Sequence, residues 1–207
     1  LTTDVEDYPG FPGGLQGPEL MEKMRKQAEM LGVHFLDEDV TSANFKKNPF
    51  SLSVDKKEFK AKAVIIATGA SARWLGLESE KRLIGHGISS CSTCDGFFYK
   101  NKDVVVIGGG DTAMREALFL AKICKNVTVI HRRNQLKAQK ILQDRAFKTK
   151  NIKWIWDSAT EEFTGKDKLE SVKIKNLKTN KITYFKCNGA FVAIGHKPNT
   201  EIFKEFL

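Results

Sequence analysis

The sequence predicts an α/β fold with parallel strands, and three observations carry that expectation. Residues 104–107 are a β-branched apolar run ending in Gly108-Gly109-Gly110, followed by a helical pattern over 112–122 and a second apolar run over 127–130. That is the strand–turn–helix–strand order of a βαβ unit. Residues 63–67 (AVIIA) and 190–194 are unbroken apolar runs, each closed by a glycine turn, as strands buried on both faces require. Between 152 and 185, short strand-like runs alternate with turns at Thr164-Gly165-Lys166-Asp167 and Thr179-Asn180, which predicts a small antiparallel meander.

The other elements follow in chain order. Residues 1–17 read as loop, broken by Pro9-Gly10, Pro12-Gly13-Gly14 and Gly17. Pro18 suits the first turn of a helix; Leu20, Met24, Ala28 and Leu31 then recur at helical spacing until Gly32 stops the run. A short strand is expected at 33–36 and a hairpin where 50–54 and 58–60 flank Asp55-Lys56-Lys57. Residues 71–87, with Gly76, Gly85 and Gly87, read as irregular and suit a domain linker. A second helix is expected over 137–147.

Composition narrows the class. With 41% hydrophobic and 29% charged residues in 207, the chain is neither disordered nor too short for one large or two small domains. No apolar run approaches the ~20 residues of a membrane helix, and the first thirty residues lack a secretory pattern. A soluble, cytoplasmic protein is expected. The net charge of +9 comes from scattered lysines in pairs no longer than Lys46-Lys47 or Lys56-Lys57, which reads as a solvated surface and predicts no nucleic-acid or membrane partner. Four cysteines in this length are too few for a disulfide scaffold.

Gly108-Gly-Gly110-Asp111-Thr112-Ala113 fits the dinucleotide fingerprint G-x-G-x-x-[GA]. The first glycine allows the tight turn, the second lets the backbone approach a pyrophosphate, and the small third position lets helix and strand pack closely. The amides that open the helix point at the phosphates. An NAD site places a carboxylate about 20 residues further on, to bind the ribose 2′-hydroxyl. Here His131, Arg132 and Arg133 stand at that distance, with Lys137 one turn beyond. Guanidinium groups bind phosphate bidentately, so NADPH is the expected nucleotide; the alternative is a surface arginine pair with no ligand.

The second constellation is Cys91-Ser92-Thr93-Cys94-Asp95. Two thiols at this spacing can close a small disulfide and exchange two electrons, and Asp95 is placed to move the accompanying proton if burial raises its pKa. Zinc and an inert pair are the alternatives; zinc normally needs four ligands, and Cys124 and Cys187 stand alone in apolar segments. A hydride does not pass efficiently to a disulfide without a relay, and a flavin is the usual one.

Taken together, these residues resemble the low-molecular-weight thioredoxin reductases, pyridine nucleotide-disulfide oxidoreductases of class II. The resemblance rests on Asp4-Val-Glu-Asp-Tyr-Pro-Gly10-Phe-Pro, Gly17-Pro-Glu-Leu, Ala67-Thr-Gly-Ala-Ser-Ala-Arg-Trp-Leu-Gly76 and Cys91-Ser-Thr-Cys-Asp-Gly-Phe-Phe98. It continues through the glycine fingerprint, His131-Arg-Arg and Phe191-Val-Ala-Ile-Gly-His196-Lys-Pro-Asn199. It implies nested Rossmann-like domains, with a complete NADPH domain inserted in a partial FAD domain: FAD-domain residues 1–73, NADPH-domain residues 74–197, and a return to the FAD domain at 198–207. It further implies a homodimer that uses FAD and NADPH to reduce thioredoxin, with Cys94 nearer the flavin, Cys91 attacking the partner disulfide and Asp95 as acid–base group. Asp7, Val40, Thr68 and Gly69 match flavin contacts. Arg73, Arg132, Arg133 and Lys137 match positions that meet NADPH, and Ile194, in the last apolar run, joins the expected cofactor-binding residues. Two positions depart from the family pattern: Asp7 stands where asparagine is usual, and Lys137 where a third arginine is usual. The sequence also starts after the family's FAD phosphate turn and stops before its later Gly-Asp segment. An isolated chain is therefore expected to be weak or inactive. The competing readings are a truncated NADP-binding module and a related flavoprotein that reduces another protein disulfide.

Overall fold

The computed structural model describes residues 4–5 and 8–206, and the chain divides into two units. The larger, residues 72–196, is built on a five-stranded sheet in the order Ile152–Ile155, Asn126–Ile130, Asp103–Ile107, Gly189–Val192, Ile88–Ser89. All its pairings are parallel, with Val104 opposite Val127 on one side and Gly189 on the other. Successive side chains of a strand face opposite ways, and here both faces are covered. Val104 and Val106 pack with Met114, Ala117 and Leu120 of helix Asp111–Leu120 and with Leu142 and Ala146 of helix Lys140–Lys148. Val105 and Ile107 pack instead with Phe163, Val172 and Ile174. Those three belong to an antiparallel sheet of Ser158–Thr164, Ser171–Asn176 and Ile182–Lys186. Double-sided burial is why the central strand is apolar without interruption, each such side chain contributing about 1.5–3 kcal/mol.

The meander expected over 152–185 therefore holds only from Ser158 onward, because Ile152–Ile155 pairs in parallel with 126–130. Periodicity could not assign 152–155, since so short a run reads the same in a parallel as in an antiparallel ladder. The segment 71–87 is also more ordered than a linker: it contains the helix Glu78–Leu83. Glu80 of that helix is 1% exposed, and its carboxylate accepts from the Leu75 and Gly76 amides at 3.0 and 2.8 Å. A carboxylate that folds its own preceding loop leaves no helical signature in that loop.

The second unit comprises 4–71 and 197–207. Helix Gly17–Met30 carries its proline in the first turn, as expected, and ends before Gly32, which adopts φ 85°. Val40–Asn44, Phe50–Val54 and Lys57–Ala61 form an antiparallel sheet whose hairpin turns at Asp55, with φ 50°. Phe45 packs on Phe50, Phe203 and Phe206. The strands expected at 33–36 and 63–67 are not formed; neither stretch has a ladder partner among the described residues, and Ile65 is 92% exposed. A parallel strand exists only when neighbours supply its hydrogen bonds, and no described strand pairs with either segment. Among the described residues no helix is long and apolar enough to cross a membrane.

Candidate nucleotide cleft and dithiol

In the parallel sheet the chain runs outward from 103–107 in one direction to 126–130, and returns on the other side at 189–192. Such a reversal of strand order opens a crevice beyond the carboxyl ends of the two central strands. A cleft of about 560 Å³ occupies this place, lined by Gly108, Gly109, Gly110, Thr112, Arg132, Lys137 and Ile194 among others.

The glycine turn has three separate requirements. Gly108 adopts φ 148°, and a Cβ there would lie 2.2 Å from the Ala193 carbonyl oxygen and 2.9 Å from the Ala113 Cβ. Ala113 is fully buried behind it, so the first glycine and the small third position close one tight strand–helix contact. A Cβ on Gly109 would strike the His131 ring at 2.4 Å. Around Gly110, by contrast, nothing lies within 4 Å of a Cβ position. This open space faces the start of helix Asp111–Leu120, where no side-chain cap occupies the first amides. Free amides at a helix start, with room beside them, fit a pyrophosphate.

The cationic end of the cleft is equally specific. Arg132, Arg133 and Lys137 are exposed, and among the described residues none of them makes an ion pair. Arg133 shares with Arg132 and Lys137 an adjoining depression that also holds Asp157, whose carboxylate is occupied by Lys178 at 2.8 Å. The Lys137 amide donates to the Gly109 carbonyl at 2.7 Å, which joins the cationic loop to the glycine turn. Three unneutralised cations beside a phosphate-sized opening suit a nucleotide bearing an extra phosphate. His131 is placed differently from its arginine neighbours. It is 7% exposed and wedged under Gly109, and burial pushes its pKa down, opposed by a backbone hydrogen bond at Gln135 and assisted by Arg132, Arg133 and Lys137. Asp111 is not among the residues lining the cleft, and its carboxylate accepts from the Gln139 amide at 2.7 Å. Arg73 lines the cleft and its amide donates to the Gly195 carbonyl at 2.9 Å. Ser158, Ala159 and Thr160 line it too, although nothing in their local sequence marks them.

Cys91 and Cys94 are joined by a disulfide, with their Cα atoms 5.3 Å apart. They flank the short helix Ser92–Asp95, in which Cys91 is the N-cap and its sulfur accepts from the Cys94 amide at 3.2 Å. Both cysteines and Asp95 are half-buried. The Tyr99 phenol is pushed up by burial and, to a smaller degree, by the Asp95 charge. The turn packs on the nucleotide-side helix: a Cβ on Gly96 would lie 3.1 Å from Leu120 and Ile123, and the Ser92 amide donates to Glu116 at 2.6 Å. Cys124 and Cys187 are buried free thiols held up at about 11 and 12 by burial. Among the described residues no cluster of three or more His, Cys, Asp or Glu side chains could hold a metal.

Of the residues matched to a flavin, Val40 opens the strand 40–44 and is half-buried. The turn at Thr68 and Gly69 is stapled to Asn199: Thr68 Oγ1 donates to the Asn199 carbonyl at 2.5 Å, and the Asn199 amide donates to Gly69 O at 3.0 Å. Asp7 lies outside the described residues.

A dinucleotide crevice and a redox disulfide in one unit define a nucleotide-dependent disulfide oxidoreductase. The family profile of the pyridine nucleotide-disulphide oxidoreductases matches residues 1–206, and the chain belongs to that family. Within it, the similarity is to thioredoxin reductases. The Rickettsia prowazekii (strain Madrid E) thioredoxin reductase is 48% identical, covering 99% of this chain and 67% of its own length. That of Coxiella burnetii (strain RSA 493 / Nine Mile phase I) is 47% identical, covering 100% and 66%. Among solved structures, Lactococcus lactis thioredoxin reductase matches with a TM-score of 0.83 at 40% identity, over 99% of this chain and 68% of that one. The T. acidophilum enzyme matches at 0.79 and 30% identity, over 99% and 67%. The chain thus spans about two thirds of the length of these relatives.

Proposed function

We propose that the chain carries out NADPH-dependent, FAD-mediated reduction of the thioredoxin disulfide through Cys91 and Cys94. The observation that carries this reading is the Cys91–Cys94 disulfide on a turn packed against the helix that opens the nucleotide cleft. NADPH, when bound, supplies a hydride, and FAD relays its two electrons toward a disulfide. The chain's own residues do the rest. The free amides beyond Gly110 hold the pyrophosphate, while Arg132, Arg133 and Lys137 hold the 2′-phosphate. Thr68, Gly69, Val40 and Asp7 serve the flavin, and the stapling of the Thr68-Gly69 turn to Asn199 supports a fixed backbone there.

Two electrons and two protons convert the disulfide to a pair of thiols. Cys91 then attacks the partner disulfide as thiolate, and Cys94 releases it by closing the Cys91–Cys94 bond again. Asp95, beside the pair, exchanges the proton. Exposed Phe97 and Phe98 directly after the dithiol (64% and 73% exposed) suit a protein partner more than a small disulfide. A cytoplasmic homodimer belongs to the same reading, on the family resemblance alone.

The test is a thiol count. The protein, purified oxidised with its cofactors, receives NADPH and then an alkylating reagent. Labelling at both Cys91 and Cys94 is expected, followed by loss of both labels when oxidised thioredoxin is added first. Unlabelled cysteines after NADPH would refute the electron path. Labelling that other protein disulfides prevent but thioredoxin does not would refute the substrate. In Cys94→Ser, disulfide reduction should vanish while NADP⁺ binding persists.

A further inference from the structure

The dithiol turn is held by a side chain with no part in the scheme above. Glu116, in the second turn of helix Asp111–Leu120, aims its carboxylate at the residue directly after Cys91. The Ser92 amide donates to Glu116 Oε2 at 2.6 Å, and the Ser92 side chain also bonds this carboxylate. Ser92 itself is 1% exposed, so bulk water does not compete for the contact. Burial pushes the Glu116 carboxyl up from the ordinary value of 4.5, and the two Ser92 bonds, with the charge of His196, oppose that rise.

The position matters for sulfur chemistry. Cys91 caps the turn Ser92–Asp95, and a cysteine at the head of a helical turn normally gains thiolate character from the amides there. The Cys94 amide reaches the sulfur at 3.2 Å, but Glu116 has taken the Ser92 amide, and it sets a carboxylate on the residue next to the sulfur. Asp95, on the same turn, adds a second negative charge, and His196 is the basic group facing Glu116. A dithiol whose thiolate is stabilised makes an oxidising couple, and one whose thiolate is disfavoured makes a reducing couple.

We propose that Glu116 is a positioning residue for the Cys91–Cys94 couple: it fixes the Ser92 backbone and disfavours the Cys91 thiolate, which keeps the couple reducing. This rests on the redox reading of the pair.

The experiment equilibrates the full chain with mixtures of reduced and oxidised dithiothreitol at pH 7. In this exchange the Cys91–Cys94 disulfide gains two electrons and two protons from the reagent dithiol, which closes to its own cyclic disulfide. Thiols at Cys91 and Cys94 are counted by alkylation and mass spectrometry. Glu116→Gln keeps an acceptor for the Ser92 amide and removes the charge. Its equilibrium should shift about tenfold toward the dithiol, ~30 mV for a two-electron couple, and its Cys91 should alkylate faster at pH 7. Glu116→Asp, which keeps the charge, should stay within about twofold of the parent while its couple is compared on the same scale. A merely structural role predicts no shift in the glutamine variant, so an unmoved or opposite equilibrium overturns the proposal.

A second measurement needs no variant. The alkylation pH profile of Cys91 in the reduced parent chain should give a thiol pKa no lower than that of an unstructured 88–98 peptide; a lower one overturns the proposal even if the variants fail to fold. If the parent pair does not form its disulfide in oxidised dithiothreitol, the redox reading falls first, and that result is distinct from an unmoved variant.

Discussion

Replacing Gly108 and Gly110 by alanine, one at a time, should separate the glycine that builds the fold from the glycine that admits the ligand. At Gly108 the added methyl meets the Ala193 oxygen at 2.2 Å and the Ala113 methyl at 2.9 Å, with φ at 148°. Neither neighbour can retreat cheaply. The Ala193 amide is bonded to the Ile107 carbonyl at 2.8 Å, and the Gly108 amide to the Ile130 carbonyl at 3.1 Å. The unfavourable backbone conformation costs about 1–3 kcal/mol and the overpacking about 1–3 kcal/mol. A total of about 2–6 kcal/mol, with a mid-range urea slope of about 2 kcal/mol per molar, lowers the unfolding midpoint by roughly 1–3 M. At Gly110, φ is −96° and the methyl points into open space, so the stability cost is under about 1 kcal/mol. The methyl does take the space assigned to the pyrophosphate, and NADP⁺ affinity should fall at least about tenfold, or ~1.4 kcal/mol. Tryptophan fluorescence in urea reads the larger unit alone, because Trp74, Trp154 and Trp156 are the chain's three tryptophans and all lie within 72–196. Calorimetry with NADP⁺ reads the second effect. Parental binding by Gly110→Ala, or a parental midpoint for Gly108→Ala, would refute the division of roles.

Two further outcomes are expected. Arg132→Ala with Arg133→Ala removes two charge-assisted contacts of about 1.5–3 kcal/mol each, so the preference for NADP⁺ over NAD⁺ should shrink by at least about tenfold, measured as a ratio of dissociation constants; an unchanged ratio would show that the 2′-phosphate binds elsewhere. His131 has a folded pKa below its usual 6.5 because it is buried neutral. Its contribution to stability is therefore complete above pH 6.5 and declines as the pH falls from there toward the folded value, where the unfolded chain binds the extra proton. Urea midpoints at pH 7, 6 and 5 should fall less steeply in His131→Gln than in the parent, and parallel slopes would contradict the burial of a neutral ring.

Much of the candidate nucleotide cleft was legible in order along the chain. Gly108, Gly110 and Ala113 announce themselves because the turn, the ligand approach and the helix packing each demand a small residue at a fixed spacing from a strand. Arg132 and Arg133 are legible as a permanently charged pair directly after the second strand, where Arg132 lines the cleft and Arg133 the adjoining depression. Leu75, Ser158 and Thr160 were not, since they reach the cleft from elements whose position depends on long-range packing. The same holds for Glu116, which reads as one more polar residue on an amphipathic helix until Ser92 is placed against it. His131 was legible as a member of the basic cluster, yet its burial beneath Gly109 depends on how the loop 132–137 folds over it.

The sequence by itself determined the βαβ unit, the Cys91–Cys94 pair and the cationic end of the cleft, because each depends on residue types within a few positions of one another. The tertiary structure alone decided which apolar runs become strands. Residues 152–155 joined the parallel sheet, whereas 63–67, no less apolar, found no ladder partner among the described residues. Hydrophobicity can prepare a segment for a sheet, but a strand's hydrogen bonds belong to its neighbours, and those are chosen by the fold.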